Sequence, residues 1–429
     1  MPDQKNKLSL FDACGMAIGG MVGGGIFAVL GEAVITAGNA TFISLGLGGL
    51  LALVTGLVYA KLTVEFDEPG GVFVFIEHIT GVRFAGTVSW FLILGYVFTI
   101  SLYAYTFGAY GGRLLGFGSD ANFWLGSGVV IFITILNLTG VKESGISEDI
   151  LVYTKIIILA SLIGLGFFMV EPGQILPVLN EGLGNTIQAT ALVFVAYEGF
   201  QLLTYDYNTI ENHKENLPKA VIISITAVLF IYILIAFVLT GSLGAQVIAE
   251  HKETVLAMLA EPILGQFGIV IVLVAAVFST ASAILATIFA VSRLAKRIAE
   301  DGQLPHQLTD KESSGVPVFF SILLAVSAII IQFFGNLEQI TTYSSLVFLF
   351  VFSVVNIMGH KHKVFSGWKK VLPPLGSLGC ASAMGILIYK IYTTNLNTLY
   401  VIGGIFLVIL ICREAYIWLH SKYKGATST

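Results

Sequence analysis

Charge is what this chain most lacks. Asp, Glu, Lys and Arg make up only 11 % of its 429 residues, while hydrophobic residues make up 56 %. A soluble globular domain carries about 25 % charged residues, so a water-covered surface cannot be assembled here. The mean hydropathy of +0.89 points the same way. The net charge of −4 is small and implies no nucleic-acid partner. Cysteine is scarce too. Cys14, Cys380 and Cys412 each fall in or beside an apolar run, in no metal-ligand or disulfide spacing, and read as small buried apolar residues. Walker A, HExxH and GxSxG patterns are absent. That argues against ATP-driven pumping and protease chemistry, and the expectation is no enzyme, no cofactor and no metal.

What the chain does have is apolar runs of membrane-spanning length, about 20 residues each. They lie near 10–36, 41–64, 84–115, 122–140, 148–170, 186–206, 218–244, 265–299, 316–334, 339–359, 371–392 and 397–419. The fold class expected is an all-α membrane protein with twelve transmembrane helices in a single domain. The runs at 84–115 and 265–299 exceed a bilayer thickness and must tilt or project. The first run follows MPDQKNKLSLFDA without a cleavage pattern and reads as a retained helix.

Lysine and arginine give the runs a direction. With an even number of spans, eighteen basic residues fall on the side of the termini, Lys142 among them. Only Arg113, Lys252 and Lys390 fall on the other. The positive-inside bias places both termini in the cytoplasm of a multi-pass protein of the cell membrane. Lys155 belongs to neither set, because it sits inside the fifth run.

Two runs are internally odd. The first carries Gly23, Gly24 and Gly25 in succession near its middle. The sixth carries Glu198 and Gly199. Glycine costs a helix about 1 kcal/mol relative to alanine, and three together invite it to open. Interruptions five helices apart fit two repeats of inverted topology, helices 1–5 over 10–170 and helices 6–10 over 186–359. Helices 11 and 12, over 371–419, stand outside the repeat. Paired interruptions of this kind point to a transporter's binding site.

A helix broken at Gly23–Gly25 leaves free N–H groups ahead of Ile26, suited to a carboxylate, and free carbonyls near Met21 and Val22, suited to an ammonium or cation. The same glycines also suit close helix packing, since Gly20 and Gly24 make a small-xxx-small pair. In the sixth run Phe194 and Tyr197 are placed to close over a ligand, and the backbone at Ala196 to accept its amino group; packing aromatics is the plainer reading. Glu198 is a carboxylate at mid-bilayer depth, a functional candidate by default. It is open to binding a cationic ligand, carrying a proton, or hydrogen-bonding the opened backbone. Lys155 lies about 12 Å into its helix at 1.5 Å per residue. It either snorkels toward the interface or is a buried amine that loads and releases a proton. Ser279, Thr280 and Ser282 of the eighth run either bond back to their own helix or face the first helix to meet a cation or the Lys155 ammonium.

These residues resemble the amino acid–polyamine–organocation superfamily over nearly the whole chain. GGMVGGGIF resembles that family's broken first helix and FVAYEGFQ its sixth-helix segment. NTIENHKENLPKAV is similar to the stretch before helix seven, SRLAKRIAEDGQLP to that after helix eight, and EFDEPGGVFVFIEHITG to the PGG loop after helix two. The resemblance implies the five-plus-five (LeuT-type) inverted repeat, alternating access and substrates with an amino-acid backbone. It implies that Gly23 to Gly25 take the substrate carboxylate and the backbone of Phe194 to Tyr197 its amino group. It matches Lys155 to a fifth-helix lysine of proton-coupled members, whose ammonium stands where related carriers bind sodium. Gly24 departs from the usual Ser or Ala, which removes a hydroxyl contact, and Val195 from an aromatic gate, which shifts gating to Phe194; a pocket left roomy by the two is compatible with a small aliphatic substrate. His213 replaces a proline, and Glu198 lies at a variable position.

The function expected is secondary active transport of amino acids or related amines, coupled to protons. An amino acid or amine exchanger, or a non-transporting sensor on the same fold, are the alternatives. The expected partners are the small-molecule substrate, protons and the lipid bilayer.

Overall fold

A computed structural model describes residues 7–139, 145–313 and 315–427, with the backbone alone at 145–150 and 420–427. Lys5 and Lys142 of the charge count lie outside the described residues, as do the side chains of Lys422 and Lys424. In hydrocarbon every backbone N–H and C=O must be satisfied within its own segment, so apolar runs fold as helices.

The chain opens with α1 (Leu10–Met21). Its start is fixed by a reciprocal cap: Asp12 N–H donates to Ser9 Oγ at 3.2 Å, and Ser9 N–H to the Asp12 carboxylate at 2.9 Å. After an interruption come α2 (Gly25–Ala37) and α3 (Thr41–Phe66), joined by one 3-10 turn, Gly38–Ala40. The PGG segment leads into a short helix, α4 (Val72–Thr80), whose first turn is buried. Then follow α5 (Val82–Leu115), α6 (Asn122–Thr139), α7 (Gly145–Gly166), the single turn α8 (Pro172–Ile175) and α9 (Gly182–Leu192). Beyond α9 the chain runs through three 3-10 segments, Val193–Tyr197, Phe200–Thr204 and Tyr207–Thr209, to α10 (His213–Ser242) and α11 (Ala245–Glu250). The helix α12 (Val255–Glu300) is divided at Gly265, where φ 60° and ψ −151° are not helical. Two-residue strands, Glu312–Ser313 and Val316–Pro317, pair antiparallel before α13 (Val318–Phe334), α14 (Leu337–Lys361), α15 (Leu372–Thr394) and α16 (Leu396–Thr427).

Ten helical stretches among the described residues are long and apolar enough to cross a membrane. The first expected run is shared between α1 and α2, and α2 continues into α3 as one 42-residue stretch. Two apolar helices, α1 and α13, are shorter than a full crossing. The molecule is a multi-pass membrane protein. Its long helices are not equally enclosed: 89 % of the most apolar window of α14 is buried, against 11 % for α16. So α5, α14 and the chain through 182–204 form the centre, and α15 and α16 the lipid-facing margin.

One polar anchor ties α16 to the centre. Arg413 is buried and donates to Gln303 Oε1 at 2.8 Å and to the Arg83 carbonyl at 2.5 Å. Its charge meets Glu414. Nearby, Trp90 Nε1 donates to the Gln303 carbonyl at 2.8 Å.

Each end of the bundle carries its own fastening. At the end holding the N-terminus, Leu8 N–H donates to the Thr209 carbonyl at 2.8 Å, and Glu211 N–H to the Leu8 carbonyl at 2.9 Å. Arg293 pairs there with Asp206, and Lys214 with Asp67 at 2.7 Å. At the opposite end Glu32 of α2 pairs with Lys252 at 2.9 Å. Gly31 lies so close that a Cβ there would come 2.0 Å from the Lys252 carbonyl oxygen.

Candidate functional site

The break between α1 and α2 covers Val22 to Gly24. Helical hydrogen bonding lapses there, and the carbonyls it releases find side-chain donors on other helices. Tyr232 Oη of α10 donates to the Met21 carbonyl at 2.8 Å. Ser279 Oγ of α12 donates to the Val22 carbonyl at 2.9 Å and also contacts the Gly23 carbonyl. On the far side of the gap α2 begins at Gly25, with the first-turn N–H groups and positive dipole end that any helix start presents.

The second break follows α9. Ser345 Oγ of α14 donates to the Leu192 carbonyl at 2.8 Å and accepts from Val195 N–H at 3.2 Å. Ala196 presents its carbonyl to the same Tyr232 hydroxyl at 3.1 Å. At Glu198 the backbone turns extended, with ψ 142°, and Gly199 takes φ 131°, a region open to glycine and strained for other residues. One tyrosine thus holds a carbonyl from each break.

Glycines let the two breaks cross backbone to backbone. A Cβ on Gly25 would come 2.8 Å from Ala196 Cα, and one on Gly199 would come 2.6 Å from the Gly20 carbonyl carbon. One on Gly23 would meet Ala283 of α12 at 2.7 Å. These glycines pack closely, and they do so where the main chain is open. The room expected beside Gly24 is filled. A Cβ at that position would lie 2.1 Å from Tyr103 Cδ1, because the α5 ring occupies the space an ordinary side chain would need.

Lys155 is buried, with 3 % of its surface exposed, so it does not reach the interface as a snorkelling lysine would. Its Nζ donates to Ser282 Oγ at 3.2 Å. Ser282 donates in turn to the Ser279 carbonyl at 3.2 Å, and Ser279 is the residue that serves the α1 break. Two of the three expected hydroxyls thus link the lysine to the opened backbone. Thr280 bonds back to the Ala276 carbonyl of its own helix at 2.8 Å.

Glu198 is buried, and its carboxylate accepts from Gln201 Nε2 at 2.7 Å and from Tyr103 Oη at 3.4 Å. Gln201 is held by Gly199 N–H on its Oε1 at 3.0 Å and reaches Tyr96 Oη at 3.3 Å. Tyr96 continues to Tyr205 at 3.1 Å. The side chains of Phe194 and Tyr197 pack against neighbouring rings, Tyr197 on Tyr232 at 5.1 Å between centroids. Phe194 stands edge-on to Phe352 at 5.6 Å between ring centroids. Tyr197 Oη donates to the Leu45 carbonyl at 2.7 Å. Both keep their backbone at the break.

Sequence reasoning missed Tyr103, Tyr232, Ser345 and Gln201. Gln201 carried a signal, as a polar residue three positions after Glu198 in an apolar run. The other three are ordinary residues of membrane helices until the fold brings them to the breaks. No group of three or more His, Cys, Asp or Glu able to hold a metal occurs among the described residues.

Apolar helices closed around two interrupted ones, with freed backbone groups facing inward, are the build of a multi-pass membrane transporter. The family model described as amino acid permease matches residues 8–412. The chain belongs to the amino acid permease family: it is a transporter of amino acids or related compounds, not an enzyme. It is 30 % identical to an uncharacterized protein of Methanocaldococcus jannaschii over 425 residues, covering 96 % of each chain. It is 27 % identical to the inner membrane transport protein YbaT of Escherichia coli, covering 94 % of this chain and 95 % of that one. With the branched-chain amino acid permease BcaP of Bacillus subtilis it shares 26 % identity, covering 82 % and 81 %.

Proposed function

We propose that this chain is a secondary transporter of amino acids or related amines, working by alternating access about the two helix breaks and driven by protons through Lys155. The observation that carries the reading is the crossing of the breaks. Gly25 lies on Ala196, Gly199 on Gly20, and the Lys155–Ser282–Ser279 chain ends on the α1 carbonyls.

In this reading the start of α2, at Gly23 to Gly25, binds the substrate carboxylate. The carbonyls near Met21, Val22 and Ala196 bind its amino group, displacing the hydroxyls of Tyr232 and Ser279. Charged Lys155 acts as an internal cation beside α1. Loss of its proton removes that charge and weakens the link to α12, which favours release. The five-plus-five inverted repeat, with two helices outside it, supplies the two bodies that rock. The fastenings at the two ends open in turn. The charge asymmetry supports cytoplasmic termini in the cell membrane.

The test is uptake of labelled amino acids into proteoliposomes with and without an imposed pH gradient. Accumulation that follows the gradient is expected. Uptake indifferent to pH refutes the coupling, and a requirement for internal amino acid identifies an exchanger instead.

A further inference from the structure

Glu198 is left unused by that reading, and its surroundings define what it lacks. The carboxylate is buried, and its two partners are the amide of Gln201 and the hydroxyl of Tyr103, both neutral donors. The amide cannot be turned round without cost, because its Oε1 already accepts the Gly199 N–H at 3.0 Å. So Nε2 is held pointing at Glu198, at 2.7 Å. The Gln201 amide can only donate at that position, while the Tyr103 hydroxyl can donate or accept. Neither of these partners carries a positive charge to balance the carboxylate. A carboxylate has about four acceptor sites, and two are taken.

The position of Tyr103 gives this vacancy a direction. Its ring edge lies against Gly24 and its hydroxyl against Glu198. One side chain, Tyr103, thus touches both the α1 break and the Glu198 carboxylate. An α-ammonium stands too close to its own carboxylate to bridge that span, whereas a cation at the end of a side chain does so.

We propose that Glu198 is the counter-ion for a positively charged side chain on the substrate, so that the carried class is cationic amino acids. The proposal rests on the transporter reading for the location of the substrate. Glu198 selects among substrates, Gln201 and Tyr103 position it, and the backbone of the breaks takes the part common to all amino acids.

Ligand-induced shifts in melting temperature of the purified full-length protein test it, with L-lysine, L-arginine, L-alanine and L-leucine as probes. Wild type should bind lysine and arginine in preference to alanine and leucine. Glu198→Gln should weaken lysine roughly tenfold or more, the loss of one charge-assisted contact, and leave alanine unchanged or tighter. Glu198→Asp should retain the cationic preference. Equal or tighter binding of neutral amino acids by wild type overturns the proposal, and so does a Glu198→Gln variant that weakens all four alike. If Glu198→Gln does not fold, the wild-type preference and Glu198→Asp decide. Uptake separates the two claims. Lysine binding that depends on Glu198 without flux refutes transport and keeps the counter-ion. Flux of neutral amino acids indifferent to Glu198 does the reverse.

Discussion

The ring of Tyr103 lies where the side chain of any larger residue at Gly24 would begin, with only 2.1 Å between Tyr103 Cδ1 and an added Cβ. The absence of a side chain at the centre of the α1 break is thus matched to one neighbour. Gly24→Ala should destabilise the protein by about 1–3 kcal/mol, as overpacking of a close-packed site does, and depress uptake. Gly24→Ala combined with Tyr103→Leu should recover part of both losses, and thermal melts with uptake assays on the four proteins of that cycle check the coupling.

Tyr232 serves one carbonyl from each break. Tyr232→Phe keeps the ring and removes the shared donor. About 1–3 kcal/mol of stability should be lost for a buried acceptor left unmade, with a fall in transport. A variant of wild-type stability that transports normally would show that other donors replace the hydroxyl.

Lys155→Ala should bind substrate yet no longer respond to an imposed pH gradient, since the amine donating to Ser282 is gone. Ser282→Ala should keep the response and alter its pH midpoint. Uptake measured across internal and external pH checks both, and a fully gradient-driven Lys155→Ala would refute the role.

The Glu32–Lys252 pair and the close approach of Gly31 seal the end of the bundle opposite the N-terminus. Glu32→Ala and Gly31→Ala should each favour the state open at that end. A cysteine placed at Thr254, which is 7 % exposed, should then react faster with a membrane-impermeant thiol reagent. Unchanged labelling in both variants would count against this contact as a gate.

Asp67 lies at the other end, where Lys214 first and Tyr207 second hold its carboxyl below the usual carboxylate range. A depressed folded value means that the stabilisation is present above the unfolded value, about 3.9. It is lost as pH falls through the folded one. Its left-handed φ of 56° suits asparagine as well as aspartate, so Asp67→Asn removes the charge alone. The variant should melt below wild type at pH 7, and the difference should shrink once the pH is below about 4.

Some of this architecture was readable in advance. Runs of apolar residues announce helices because hydrocarbon offers the backbone no other partner, and Gly23–Gly25 and Glu198–Gly199 stand out against them. Lys155 was legible for the same reason, as a charge where charge is costly. Its connection to Ser282 and Ser279 rests on α7 and α12 meeting, which periodicity does not specify. Tyr232 and Tyr103 were invisible because tyrosine is common in membrane helices and its hydroxyl partner is set by the fold. The room expected beside Gly24 was misjudged for a related reason: a missing side chain tells nothing of which neighbour moves in. The first run covers α1 and α2 because composition changes little across a break made of glycine.

The crossing of Gly20 and Gly25 with Gly199 and Ala196 has a consequence for how this carrier can change over generations. Main-chain carbonyls are common to every residue type and N–H groups to all but proline, so most substitutions leave the hydrogen-bonding surface they present unchanged unless they block it. Substitutions that spare the crossing fall on the side chains around it, Tyr103, Glu198 and Gln201 among them. If the proposed site is right, a lineage built on this plan can exchange one cargo for another while the main-chain contacts to the shared end stay as they are.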